Sequence, residues 1–433
     1  MKLFIPNLNF EDELSARSSK INPQTQAAID DLAPLMGLLV DAGDAVLVNL
    51  NAVPDDLPSC LQHVRFATAE QIVSEQKSVA KIGDREIVPW GWTSRILQTA
   101  QTLNTAVNNA PELHVVKQIN SRAFSATFDA VQCSDESSLP FGNERFGRLC
   151  LTMEECTNAI RKMVAARYSR WVAKPQLSNA GRNRLLVTGC ELNDQQQGWL
   201  AKQISLGGVY LEPWIQPISE CGLQYVIHPI TTGNGEVSAS NSSIEFIGAT
   251  RLINDDVGRY AGSMIGLGAE SETQWASSIE YGMQVCLAAQ AAGYFGPLGI
   301  DSFQFQNASG ELGVRLCNDV NARFTMGRLA VALRQNLQEN YSGLWCQLPV
   351  AQQLNRLKTN NSDSIQELIS AMQNVLTAQG ENDVFIERTS PLSISGRPVR
   401  TMTLLISGPN PQQLLTCHTT LQQFVKRASP GIK

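Results

Sequence analysis

Residues 297–321 read PLGIDSFQFQ, NASGE, LGVRLCNDVN. Two runs with alternating apolar residues flank a short polar turn containing glycine, the pattern of a β-hairpin. This pairing is the strongest constraint in the chain, because it fixes which side chains become neighbours. It sets Asp301 on the first strand beside Asp319 and Asn321 on the second. Side chains of a strand alternate between faces, so Asp319, Asn321 and Arg323 fall on one face, after an apolar set of Val314, Leu316 and Val320. An acid, an amide and a second acid supply three oxygens to one spot. Mg²⁺ is a hard cation held by one or two carboxylates together with phosphate oxygens, so Asp301, Asp319 and Asn321 form a candidate magnesium site. Arg323 can grip a phosphate or carboxylate with its planar fork. The same spacing also fits a solvated polar face on an edge strand.

Two further stretches carry candidate chemistry. In WVAKPQLSNAGRNRLLV, Lys174 ends an apolar strand, and Ser178, Asn179 and Gly181 form the turn that follows. Backbone N–H groups in such a turn can cradle an anion, with the lysine as a point charge. This is no Walker loop, and an ordinary hairpin turn with a surface lysine fits equally. In VYLEPWIQPISE, an apolar strand runs into a two-proline hinge flanked by Glu212 and Glu220. A hinge backbone can meet an adenine and a carboxylate can accept from ribose hydroxyls, although a plain interdomain turn has the same composition.

The rest of the chain narrows the class. At 433 residues it is too long for one ordinary core. A net charge of −6 gives no polyanion signal, so no nucleic-acid partner is expected. No run of about eighteen apolar residues marks a membrane span. MKLFIPNLNF reads as a first strand, not a signal peptide, and the ten cysteines lack CxxC spacing. Reduced, mostly buried thiols and a cytoplasmic location are the expectation. His63, His114, His228 and His418 lie in no metal-ligand spacing. Trp90 and Trp92 in VPWGW are expected to pack rather than bind. Residues 1–118 show a βαβα rhythm, SRAFSATFDAVQ suggests a helix, and Thr152 before two glutamates caps another. A small α/β tail occupies 346–433.

In order, the pieces are a lysine-bearing strand with a glycine turn, an E-x-W-I hinge, an acid-bearing strand and an acid-x-Asn strand. This order resembles the ATP-grasp ligase superfamily over about residues 119–345. The PWGW and NSR stretches resemble its uncharacterised bacterial members. VAKPQLSNAG looks like the superfamily's lysine and phosphate loop, LEPWI like its adenine hinge, and GIDSFQF and NDVNAR like its two metal-bearing strands. The resemblance adds Trp214 and Ile215 to Glu212 and Glu220 as hinge candidates. It adds Arg122 of NSR as a nucleotide-contacting base and Arg259 of GRY as a phosphate-binding cation. Asp319 stands where the superfamily usually has Glu, and Arg122 replaces a common lysine.

The fold implied is α+β with α/β parts. A Rossmann-like pre-ATP-grasp domain (1–118) would precede an ATP-grasp domain (119–345) whose two α+β subdomains, about 119–210 and 211–345, grip ATP. The appendage 346–433 would follow. The implied activity is an ATP- and Mg²⁺-dependent ligase, with Mn²⁺ as a substitute, joining a small-molecule carboxylate to an amine through an acyl phosphate. Lys174, Arg259 and Arg323 would offset developing phosphate charge. A small-molecule kinase and a non-catalytic nucleotide-binding protein remain open, as does a homodimer.

Overall fold

The computed structural model describes the chain except residues 16–20, 22, 79–84, 108, 134–138, 143–144, 178–182, 231–242, 256–258, 267–271, 308–309, 352–361 and 428–433. Strands β1 (Lys2–Ile5), β2 (Ala45–Leu47), β3 (Arg65–Ala67) and β4 (Glu86–Pro89) form a parallel sheet in the order β3-β2-β1-β4. Their short, apolar, double-sided character suits strands covered on both faces. The helix Pro23–Leu32 tightens into a 3₁₀ segment, Ala33–Leu39, at Pro34, whose missing N–H cannot continue the α-helical ladder. The PWGW corner docks this unit. Trp90 and Trp92 are buried, the Trp90 carbonyl accepts from Phe324 N–H at 2.9 Å, and Asn7 and Gly91 exchange two hydrogen bonds. A Cβ on Gly91 would strike the Phe10 ring, so only glycine fits there.

The predicted helix at SRAFSATFDAVQ spans only Arg122–Thr127, capped by Ser121. Val131–Cys133 instead becomes strand β5 at the edge of a large sheet, because Val131 is needed beside the strand Leu312–Asn321 and the core outweighs local helix preference. A four-stranded antiparallel sheet follows, β6 (Arg148–Cys150), β7 (Arg170–Pro175), β8 (Leu185–Thr188) and β9 (Val209–Pro213), in the order β6-β9-β7-β8. The helices Met153–Ala165 and Asp194–Ser205 accompany it, each opened by a capping box, at Thr152 with Glu155 and at Asn193 with Gln196. This subdomain has its own core around Trp171, Ile160 and Leu200.

The large sheet has nine strands. Its middle is β10 (Ser219–Ile227), β11 (Ile244–Asn254), β12 (Tyr260–Gly266), β13 (Gly296–Gln306), β14 (Leu312–Asn321) and β15 (Ser342–Pro349). The helix Glu272–Ala291 packs on it, and Gly293 after that helix takes a φ of 94°. Strand β16 (Phe385–Arg388), the small ribbon β17 (Ser393–Ile394) with β18 (Arg397–Pro398), β19 (Thr401–Gly408) and the helix Pro411–Arg427 make up the tail. β19 pairs with β15 along its length, so the tail extends the large sheet and shares its hydrophobic core.

Candidate active site

The hairpin of β13 and β14 forms as expected, with Asp301 directly opposite Asp319 and Gly299 opposite Asn321. Its register shifts between Asp301 and Phe303. Buried positions on β14 run Gly313, Arg315, Cys317 and then switch parity to Val320 and Ala322. A bulge adds residue to one strand and changes which face each later side chain takes. The apolar set Val314, Leu316, Val320 read from strict alternation is therefore corrected. Arg315 takes an inward position, and Asp319 and Asn321 reach the cleft.

The cleft face is built from three chain segments. Asn321 Nδ2 reaches Asp301 Oδ2 at 3.4 Å, and Asn321 Oδ1 accepts from Arg323 at 3.1 Å. Arg323 also pairs with Glu11 of the N-terminal domain and donates to the Phe324 carbonyl. Arg122 holds Asp319 Oδ1 at 2.7 Å. The NSR turn that carries Arg122 is pinned to β14, since Asn120 Oδ1 accepts from Ala322 N–H at 3.0 Å. It is pinned to the end of β7 as well, where Arg122 N–H donates to the Gln176 carbonyl. A small cavity lined by Glu11, Asn120, Arg122, Asp319 and Asn321 opens beside this face.

Among the described residues, Asp301 is the acid of this face with no cation in contact. Burial, then the neighbouring carboxylates of Asp319 and Glu220, push its pKa up to about 7, against the pull of Arg323 and Arg122. Glu220 is raised by burial too, although Asn254 donates to it at 2.8 Å. The donor set fits a hard divalent cation, which would neutralise the surplus negative charge here. Among the described residues no three Asp, Glu, His or Cys side chains converge as a ready-made metal cage. Asp301 and Asn321 would supply the first oxygens, and Asp319 would have to exchange Arg122 for the metal.

On the small subdomain, Lys174 at the end of β7 is ion-paired with Glu212 on β9. Burial lowers the lysine pKa, and the Glu212 charge opposes that shift. Glu212 does not stand free for a ribose hydroxyl, because its second oxygen is held by Arg315 Nη1 at 2.6 Å. Burial would raise this acid, but Lys174 and Arg315 together hold it at about 2. Arg315 is only 1% exposed, and it also binds Asp129 at 2.8 Å and the Tyr210 hydroxyl at 2.8 Å. Asp129 accepts in turn from Tyr210 and from the N–H groups of Phe146 and Gly147. Gly147 has no room for a Cβ against the Tyr210 ring.

Other predicted residues sit at varied distances from this centre. Trp214, just past β9, lies under the Arg184 guanidinium at 4.6 Å from the ring centre. Ile215 packs on the small-subdomain core. Arg259 is exposed beyond β11 and pairs with Asp255, so it is not brought to the face. Ser178, Asn179 and Gly181 lie outside the described residues. Asp129, Tyr210, Arg315 and Glu11 were not singled out from sequence. Arg315 alone carried a signal, a charged side chain inside a strand between two apolar residues.

No family model and no curated protein matches the chain. Solved structures do. An N5-carboxyaminoimidazole ribonucleotide synthetase solved with ADP superposes with a TM-score of 0.50 at 12% identity, over 99% of this chain and 97% of the other. Pyruvate carboxylase from Rhizobium etli superposes with a TM-score of 0.52 at 11% identity, over 99% of this chain but only 39% of that one. No helix among the described residues is long and apolar enough to cross a membrane. All ten cysteines are free, and most are buried. With its parallel N-terminal sheet, its small antiparallel subdomain and its large sheet carrying Asp301 and Asp319, the chain has the ATP-grasp fold.

Proposed function

We propose that the protein is an ATP- and Mg²⁺-dependent ligase that joins a small-molecule carboxylate to an amine through an acyl phosphate. The observation that carries this reading is that a buried lysine and a carboxylate without an ion-pair partner share their charged neighbours, since Arg122 and Glu220 each interact electrostatically with both Lys174 and Asp301. Lys174 is held by Glu212 on the small subdomain, and among the described residues Asp301 on the large sheet has no cation in contact. The first suits phosphate and the second suits a metal. When bound, magnesium would lower the cost of placing phosphate oxygens beside Asp301 and Asp319. Lys174 would hold phosphate charge, and the backbone of the Pro213–Ile215 hinge would meet the base. In this scheme the Glu212 carboxylate acts through Lys174 rather than through the ribose. Arg323, tied to Glu11, would orient the carboxylate that becomes phosphorylated. Catalysis of this kind rests on positioning and charge neutralisation, with no covalent nucleophile on the protein.

One contact favours a second reading. The Arg122–Asp319 ion pair covers a metal-ligand candidate, which suits a nucleotide-binding protein without turnover. A screen of carboxylate and amine mixtures for ADP release with MgATP separates the two. Release that needs both an acid and an amine marks the ligase. Release with an acceptor alone and a stable phosphorylated product marks a kinase, and MgATP binding without release under every mixture marks the binding protein.

A further inference from the structure

A cavity of about 670 Å³ lies between the N-terminal domain and the large subdomain. It opens at the amino ends of the parallel strands, where Lys2 of β1 and Glu86 of β4 form part of its rim. The candidate active site belongs elsewhere. Pro297 lines this cavity, and Asp301 is roughly 13 Å further along the same strand at the usual rise per residue. Its lining is mixed, with apolar surface from Phe4, Leu333 and Phe324 and polar surface from residues such as Asp41, Glu86 and Gln335. A concave site of this size that combines apolar walls with polar groups can hold a small molecule.

The polar group that matters is Arg328, on the helix Met326–Ala332. Its Nε is buried without a hydrogen-bond partner, and the acid that acts on its charge is Glu245. The other arginines near the cleft are committed. Arg122, Arg315 and Arg323 each hold a carboxylate. A guanidinium in a partly apolar wall loses hydration, and a partner that restores its hydrogen bonds is favoured for that reason. A carboxylate matches the fork geometry. The mixed charges at the rim, Lys2 and His63 against Asp41 and Glu86, give no net attraction for a polyanion.

We propose that this cavity is a binding site for an organic monocarboxylate with an apolar body, its carboxylate seated on Arg328 and its body on the apolar surface of Phe4, Leu333 and Phe324. The walls come from two parts of the chain, so such a ligand would bridge them. This site is independent of the ligase reading and needs neither ATP nor metal.

The probe is benzoate, titrated by calorimetry into the full-length protein without nucleotide. Saturable binding is expected, with benzamide, the uncharged analogue, weaker by at least about tenfold, the scale of a charge-assisted hydrogen bond. Arg328→Gln should weaken benzoate by a similar factor, leave benzamide unchanged and leave ADP affinity unchanged. Arg328→Lys should keep part of the benzoate affinity, and it serves in place of the glutamine variant if that one fails to fold. Absence of saturable benzoate binding, equal binding of benzamide, or equal affinity in a folded Arg328 variant would overturn the proposal. Inorganic phosphate bound as tightly as benzoate would overturn the apolar-body requirement.

Discussion

Two acidic centres each hold a carboxylate away from bulk water and behave in opposite ways. Around Glu212, each carboxylate oxygen has a cation, Lys174 on one side and Arg315 on the other, and the acid is held near 2. Around Asp301, the direct partner is the amide of Asn321, and the pKa rises to about 7. Glu212 is buried and Asp301 half-buried, and desolvation pushes both acids in the same direction, upward. What differs is whether the opposite charge comes from the protein. The Glu212 centre is complete in the folded chain and fixes the geometry of Lys174. The Asp301 centre is left with surplus negative charge that a cation from solution can neutralise.

The largest expected effect tests the complete centre. Arg315→Leu leaves Asp129 and Glu212 buried without their guanidinium, and loss of one partner from a buried ionic network costs about 3–5 kcal/mol. Denaturant unfolding should show that loss. A change below about 1 kcal/mol would mean that the network is not the brace described here.

Next comes the incomplete centre. Asn321→Leu should reduce turnover by about a hundredfold or more, because it removes, at nearly constant volume, the amide that faces Asp301 and whose oxygen would serve the metal. Its stability should stay within about 1 kcal/mol of the parent, since the site face contributes little apolar packing. Collapse of the fold in this variant, together with unchanged MgATP affinity in Asp319→Asn, would make the face structural and erase the contrast.

Lys174→Met should weaken nucleotide binding by about tenfold, the worth of one phosphate contact to a cation. Because Arg315 still holds Glu212, the variant should remain folded. Equal ADP affinity in titration calorimetry would remove Lys174 from the phosphate path.

The pH response should separate the centres further. Asp301 has a folded pKa of about 7 against an ordinary value of 3.8, so between those limits the folded state binds the extra proton. Without metal, the contribution of this group to stability falls as pH rises through that window. Magnesium needs the ionised form, so its affinity should rise as pH approaches and passes about 7, with release of a proton on binding. Asp301→Asn should abolish both slopes. A metal affinity that is flat with pH while the slope in stability persists would separate Asp301 from the metal.

The smallest effect is expected at Arg259. It is exposed and paired with Asp255, so Arg259→Ala should change stability by no more than about 0.5 kcal/mol and leave ADP affinity unaltered. A tenfold loss of turnover would instead show that this loop reaches the cleft during the reaction.

Much of this arrangement was legible in the sequence wherever the information is local. The hairpin around NASGE and the capping box at Thr152 follow from residue spacing, turn chemistry and periodicity, and the order of lysine strand, hinge and acid strands carried the resemblance to the ATP-grasp superfamily. Packing of the PWGW tryptophans follows from their apolar area. The partners of charges were not legible. Glu212 looks the same in sequence whether it meets a ribose or an arginine, and Arg315 is 103 residues from it. Asp129 lies 186 residues from that same guanidinium. The bulge on β14 decides which face Arg315 takes, and a bulge is set by how two strands and their coverings fit together. Sequence therefore determined the elements and the inventory of charged groups. Only the tertiary structure decided which charges are neutralised from within and which remain for a ligand, because Coulombic pairing and desolvation depend on distances between segments that periodicity cannot relate.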